Sequence, residues 1–168
     1  MSKAFTDEES ADSSVVGRPV QRANRGEERP MTVEGHRALL EELRRLTEVE
    51  RPALKANTAL DAEARLKELE HRVALIAATL ESVRVVPVAA GTGQARFGST
   101  VSLRWSDGRE QRLRLVGPDE TDVKQGLVSI DSPLAQSLVG REVGDEVEVE
   151  RPRGLETATV LSVESEAR

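Results

Sequence analysis

TVEGHRALLEELRRLTEVERPALKANTALDAEARLKELEHRVALIAATLESVRVV, residues 32–86, decides the fold of this 168-residue chain. In its second half Leu66, Leu69, Val73, Ile76, Leu80 and Val83 recur at spacings of 3-4-3-4-3, the rhythm of a coiled-coil seam. In the first half Leu39, Leu43, Leu46 and Ala53 keep that rhythm, with Glu50 interrupting it. A single rod would leave this stripe uncovered unless a second chain supplied the partner. Asn57-Thr58 is the expected break. Both side chains bond locally to backbone in competition with the helix, and Thr58 with Asp61 can cap a new one. Folding there sets Leu43 opposite Val73, Leu46 opposite Leu69 and Ala53 opposite Ala62. The reading is an antiparallel helical hairpin with its tip near residues 57–61.

Thr32 is placed to N-cap the first helix, with Val33, Glu34 and Gly35 in its first turn. Glu41 with Arg45 and Glu63 with Lys67 stand at i,i+4 in the favourable orientation, worth about 0.3–0.5 kcal/mol each. Pro52 lacks an N–H and costs roughly 3 kcal/mol inside a helix, so a kink or restart is expected at Arg51-Pro52.

Outside the hairpin the chain divides by composition. Residues 1–31 are poor in apolar residues and aperiodic, and read as a disordered leader; a docking peptide around Val15-Val16 is the alternative. Pro87 ends the second helix, and 87–95, with Ala89-Ala90-Gly91-Thr92-Gly93, is a joint. From 96 to 168 the period becomes two. Phe97, Val101 and Leu103 are assigned to one strand, Ser106-Asp107-Gly108 to a hairpin turn, and Leu113 and Leu115 to the returning strand. Gly117-Pro118-Asp119-Glu120 opens an acidic loop, and 127–130 is another strand. Ser132-Pro133 starts a short helix that Gly140 stops. Val147 and Val149 mark a further strand. Pro152-Arg153-Gly154 turns into the last, with Ala158, Val160, Leu161 and Val163. The fold class is α+β: a coiled-coil hairpin followed by a small antiparallel β domain with one short helix.

Composition narrows the function. Charged residues make up 32% and hydrophobic ones 38%, which suits a solvated helical arm beside a small core. There is no cysteine, hence no disulfide framework or thiolate metal site. No apolar run approaches the roughly 18 residues of a membrane span, and no signal-peptide core is visible, so a cytoplasmic protein is expected. The net charge of −6 divides as −1 in 1–31, −1 in 32–86 and −4 in 87–168. No basic stripe exists to neutralise nucleic-acid phosphates, so nucleic acid is expected only indirectly, through a protein partner. His36 and His71 have no ligand-spaced companions, and no nucleophile–base motif, phosphate loop or zinc pattern appears. Neither an enzyme nor a cofactor is indicated.

Several ordered motifs carry a resemblance. The hairpin has Met31-Thr32-x-Glu34-Gly35, Leu43-x-x-Leu46, Glu50-Arg51-Pro52, Glu68-Leu69-Glu70-x-Arg72-Val73 and Val83-Arg84-Val85-Val86. The C-terminal part has Phe97-Gly98-Ser99-Thr100-Val101, Val116-Gly117-x-Asp119-Glu120-x-Asp122, Ser129-Ile130-x-Ser132-Pro133-Leu134-Ala135 and Leu138-Val139-Gly140-Arg141-x-x-Gly144-Asp145-x-Val147. Over residues 31–165 the chain resembles the Gre (GreA/GreB) family, bacterial elongation factors that enter the secondary channel of RNA polymerase. The resemblance implies an immunophilin-like (FKBP-like) C-terminal domain docked at the channel rim and a hairpin projecting inward. Prolyl isomerase activity is not implied, because Phe97 and Trp105 alone cannot build the aromatic pocket.

Cleavage-stimulating family members carry a tip motif Gly-Asp-x-x-Glu-Asn-Ala-(Glu/Asp)-Tyr, whose acids help hold a second Mg²⁺ at the polymerase's catalytic metal. This chain has no tyrosine and no such motif between Pro52 and Glu68. By alignment the hairpin is about 7 residues shorter per arm, leaving the tip about 10 Å short, decisive where placement must hold to about 1 Å. Of the tip residues Asn57, Thr58, Asp61 and Glu63, the two acids are either a relocated metal pair or a helix cap with a favourable first-turn charge. Two positions apart on a helix, they do not share a face. Asp119, Glu120 and Asp122 are either polymerase contacts or a solvated turn. Ser132, Pro133 and Leu134 are a helix start, a rim contact, or both, with an exposed Leu134 as anchor.

The expected function is a polymerase-binding, non-enzymatic elongation factor that supplies no metal ligands. Accessory cleavage through Asp61 or Glu63 is the alternative, and a generic interaction module whose seam pairs between chains is a third reading. Sedimentation separates the last: the hairpin gives a monomer, and an inter-chain seam gives a dimer.

Overall fold

A computed structural model describes residues 28–88, 91, 93–151 and 154–165. Strand β1 (Arg29–Met31) leads into helix α1 (Val33–Arg45), a π-helical turn (Leu46–Glu50) and helix α2 (Arg51–Lys55). Helix α3 (Ala62–Ser82) returns and ends in strand β2 (Val83–Val85). The hairpin thus closes as expected. Leu46, Leu69 and Ile76 are buried along its seam, with Leu39, Leu43, Leu54, Val73 and Leu80 packed on them. Arg72 grips Glu42 with two hydrogen bonds of 2.8 and 3.0 Å, and Arg51 reaches Glu70 at 2.7 Å, so ion pairs link the arms along the seam.

Pro52 explains the π turn. Its missing N–H and its ring, which would strike the carbonyl four residues back, are accommodated by a ladder that has already widened. The Arg51 N–H bonds to the Leu46 carbonyl, five residues back. Two expectations change as a result. The extra residue in the turn rotates the chain beyond it, so Leu54 takes the seam and Ala53 is exposed. Arg45 pairs with Glu50 at 3.1 Å, because five residues now span one turn, rather than with Glu41. Val83 leaves the helix for β2, where Arg29–Met31 pair with it in parallel. Those three residues fall within the stretch read as a leader; residues 1–27 lie outside the described residues.

The second unit is a five-stranded sheet of order β5-β4-β3-β7-β6, comprising β3 (Thr100–Trp105), β4 (Glu110–Val116), β5 (Leu127–Ser129), β6 (Glu146–Arg151) and β7 (Gly154–Glu164), with helix α4 (Pro133–Leu138) between β5 and β6. Its core joins Val101, Leu103, Trp105, Leu113, Leu115, Val147, Val149, Ala158 and Val160 to Ala135 and Leu138 of α4. Two details depart from the sequence reading. Strand β5 lies parallel to β4, because residues 117–126 fold back through two 3₁₀ turns instead of a tight hairpin. Phe97 sits in a turn ahead of β3. The register of β3 on β7 slips so that Ser102 faces Ser162 but Leu103 faces Val160. Leu161 is the extra residue of a bulge, which is why Ala158, Val160 and Val163 all contact the core despite their mixed parity. Of the turn expected at Pro152-Arg153-Gly154, Pro152 and Arg153 lie outside the described residues, as do Ala89, Ala90 and Thr92 of the joint. No helix among the described residues is long and apolar enough to cross a membrane.

Leu69→Ala is expected to destabilise the hairpin by about 2–4 kcal/mol, read as a lowered thermal midpoint in far-UV circular dichroism while the Trp105 fluorescence of the β domain persists. The hydrogen bonds from Arg72 hold the Glu42 carboxyl below its ordinary value. Its contribution is therefore present above the unfolded value near 4.5 and is lost as pH falls through the lower folded one. Because Arg72 is half exposed, Glu42→Gln is expected to cost only about 0.5 kcal/mol at neutral pH, and the difference from wild type should vanish once the pH has fallen through the lowered folded value.

Candidate functional site

Two surfaces hold the residues singled out from the sequence. At the hairpin tip, Asn57 does make the local bond expected of it, its Oδ1 accepting the Ala59 N–H at 2.9 Å. Thr58 is not the cap of the second helix, which begins later, at Ala62. Asp61 occupies the capping position without capping, because its backbone (φ −94°, ψ −3°) is already helical, whereas a capping side chain needs the extended region to reach back. Its carboxylate pairs with Arg65 at 2.8 Å, and Glu63 pairs with Lys67 at 3.3 Å. Each acid has its own cation one turn on. No group of three or more His, Cys, Asp or Glu able to hold a metal occurs among the described residues. Leu60, unremarked in the sequence, is fully exposed at the apex.

At the hairpin base the acidic loop turns inward. Thr32 caps α1 as expected, its Oγ1 accepting the Gly35 N–H at 3.0 Å. Glu120 accepts the Thr32 N–H at 3.0 Å, the Thr32 hydroxyl and the Gly117 N–H at 2.9 Å. Asp119 meets Arg29 at 3.0 Å. Burial pushes its carboxyl above the ordinary value, against the pull of the Arg29 guanidinium. Glu34 of α1 pairs with Arg114 of β4 at 3.1 Å. Asp122 caps the second 3₁₀ turn, accepting the Lys124 N–H at 2.9 Å and the Gln125 side-chain amide at 2.9 Å. All three loop acids thus have partners within the fold. Two of them fasten the hairpin to the β domain and the third shapes the loop. Thr32, Gly35, Arg29 and Arg114 complete this junction. Of these, Thr32 as the cap and Gly35 in the first turn were visible in sequence; their meeting with the acidic loop, far along the chain, was not.

Ser132 caps α4, accepting the Ala135 N–H at 3.2 Å, and Pro133 fills the first helical position. Leu134 is half-buried and packs on the sheet core, so the exposed anchor expected there is absent. Pro133 is the exposed member of the three.

Residues 90–165 match the family described as transcription elongation factor, GreA/GreB, C-terminal domain. The transcription elongation factor GreA of Phenylobacterium zucineum is 40% identical over 151 residues, covering 80% of this chain and 96% of that protein. That of Hyphomonas neptunium is 39% identical over 150 residues, with the same coverage. Because 80% of 168 residues is about 134, spread over 151 aligned positions, about 17 positions of the first relative have no counterpart here. Among solved structures, the GreA factor homolog 1 (Gfh1) protein of Thermus thermophilus is 24% identical, covering 81% of this chain and 98% of that one, with a TM-score of 0.39. Aligned with the two GreA proteins over 96% of their length, and with residues 90–165 matching the family's C-terminal domain, the chain belongs to the GreA/GreB family of transcription elongation factors.

Proposed function

We propose that this factor binds RNA polymerase at the mouth of the secondary channel through its β domain. The hairpin then projects into the channel and alters nucleotide entry, pausing or competition with longer family members, without supplying metal ligands. The observation that carries this reading is the tip: a six-residue turn (56–61) between α2 and α3 that exposes Leu60. The tip's acids, Asp61 and Glu63, each face a cation of their own helix. The roughly 17 positions lacking a counterpart support the same view, being close to the number a shortened two-armed hairpin would lose. At the rim, the start of α4, with Pro133 exposed, is one part of the β domain open for contact. Asp119 and Glu120 are already engaged with the hairpin. The factor acts as a monomer and touches nucleic acid only through the polymerase.

A competing reading retains cleavage stimulation, and the name GreA borne by the curated relatives favours it. For that, the hairpin must dock about 10 Å deeper and Asp61 must part from Arg65. A pull-down with core polymerase followed by a cleavage assay on a backtracked complex decides the matter. The expected outcome is binding with transcript cleavage no faster than that of polymerase alone. Robust stimulation abolished by Asp61→Ala would overturn the non-catalytic reading.

A further inference from the structure

In an ordinary capping box the N-cap threonine bonds to the N–H three residues on, and a glutamate at that third position reaches back to the N-cap N–H. Here the first half is present, from Gly35 N–H to Thr32 Oγ1, but the third position is glycine. The glutamate comes instead from the β domain, 88 residues later: Glu120 takes the Thr32 N–H at 3.0 Å. The same carboxylate caps its own 3₁₀ turn through the Gly117 N–H. Space is made for it on both sides. A Cβ on Gly35 would lie 2.0 Å from Glu120 Oε1, and one on Gly117 would lie 1.9 Å from the Pro30 carbonyl oxygen.

We infer that Glu120 is the positioning residue of the hairpin, completing the capping box of α1 from the β domain and so fixing the direction in which the two helices leave it. The flanking pairs, Arg29 with Asp119 and Glu34 with Arg114, join long, partly exposed side chains that hold one geometry weakly. Glu120 holds a backbone N–H at the first turn, which is rigidly tied to the helix axis. A lever amplifies any slack. α3 has 21 residues, about 32 Å at 1.5 Å per residue, so a tilt of about 10° at the base carries the tip about 5 Å. If the chain works from a polymerase channel as proposed above, that displacement separates a tip that enters from one that strikes the wall.

Gly35→Glu tests the inference directly. It completes the box within α1, improves helix propensity and occupies the space of the Glu120 carboxylate, so it frees the hairpin without weakening its first helix. The full chain has no cysteine, so Ala59→Cys at the tip and Ser106→Cys on the β3–β4 turn take spin labels cleanly for a pulsed dipolar distance measurement. The parent should give one narrow distance. Gly35→Glu and Glu120→Ala should shift or broaden it by about 5 Å or more, with the circular dichroism of Gly35→Glu unchanged. A narrow, unshifted distance in Gly35→Glu would overturn the inference, even if Glu120→Ala fails to fold. No polymerase enters this measurement, so failure of the chain to bind polymerase would sink the proposed function and leave the positioning role standing.

Discussion

Two backbone N–H groups and a hydroxyl converge on the carboxylate of Glu120, and the relation between the two halves of the molecule rests on that convergence. The first turn of any helix leaves donors without intrahelical partners, and the positive end of its dipole favours a nearby anion. A carboxylate from another domain meets both needs at once. It ties the helix start to the sheet by charge-assisted hydrogen bonds, roughly twice as strong as neutral ones. Gly35 and Gly117 are required by the closeness of this approach, since a side chain at either would occupy the space of the join.

The hairpin that extends from this join is stabilised by a thin core. Three buried residues, Leu46, Leu69 and Ile76, and five half-buried ones form its seam, so much of its surface is charged side chains arranged along and between the arms. Within that seam Pro52 has an effect out of proportion to its size. It is accommodated by a π turn that adds a residue to one arm, moving Leu54 inward and Ala53 outward and replacing an i,i+4 ion pair with an i,i+5 one. The junction and the π turn are both local responses to backbone donors. One lacks its partner in sequence and finds it across the fold; the other has lost its N–H and loosens the ladder around it.

The functional reading follows from what the tip offers. Leu60 is exposed at the apex, while Asp61 and Glu63 are each matched to a cation on the same helix face. Ion pairs this exposed hold only weakly, and what disfavours a shared metal is that Asp61 and Glu63 stand two positions apart on the helix, where they do not share a face. On the proposed reading, a short arm ending in such a turn obstructs or contacts a partner rather than donating ligands. The β domain, with its own core of strands and one helix, is then the part that must seat the arm, and the join at Glu120 passes that seating on to the tip.

Periodicity alone determined the hairpin, its turn at Asn57, the α+β class and the caps at Thr32 and Ser132. Each is set by side chains within a few residues of one another, where spacing translates directly into geometry. The short arms and the missing tip motif were legible only through the resemblance to the Gre family. Only the tertiary structure decided what Asp119 and Glu120 do. An acidic run in a loop looks identical in sequence whether it faces solvent or a helix start 88 positions away. It likewise decided that Leu134 packs inward, that β5 runs parallel to β4 and that the seam steps from Ala53 to Leu54. Those outcomes depend on which surfaces meet and on where a ladder must open, and neither is encoded at fixed spacing along the chain.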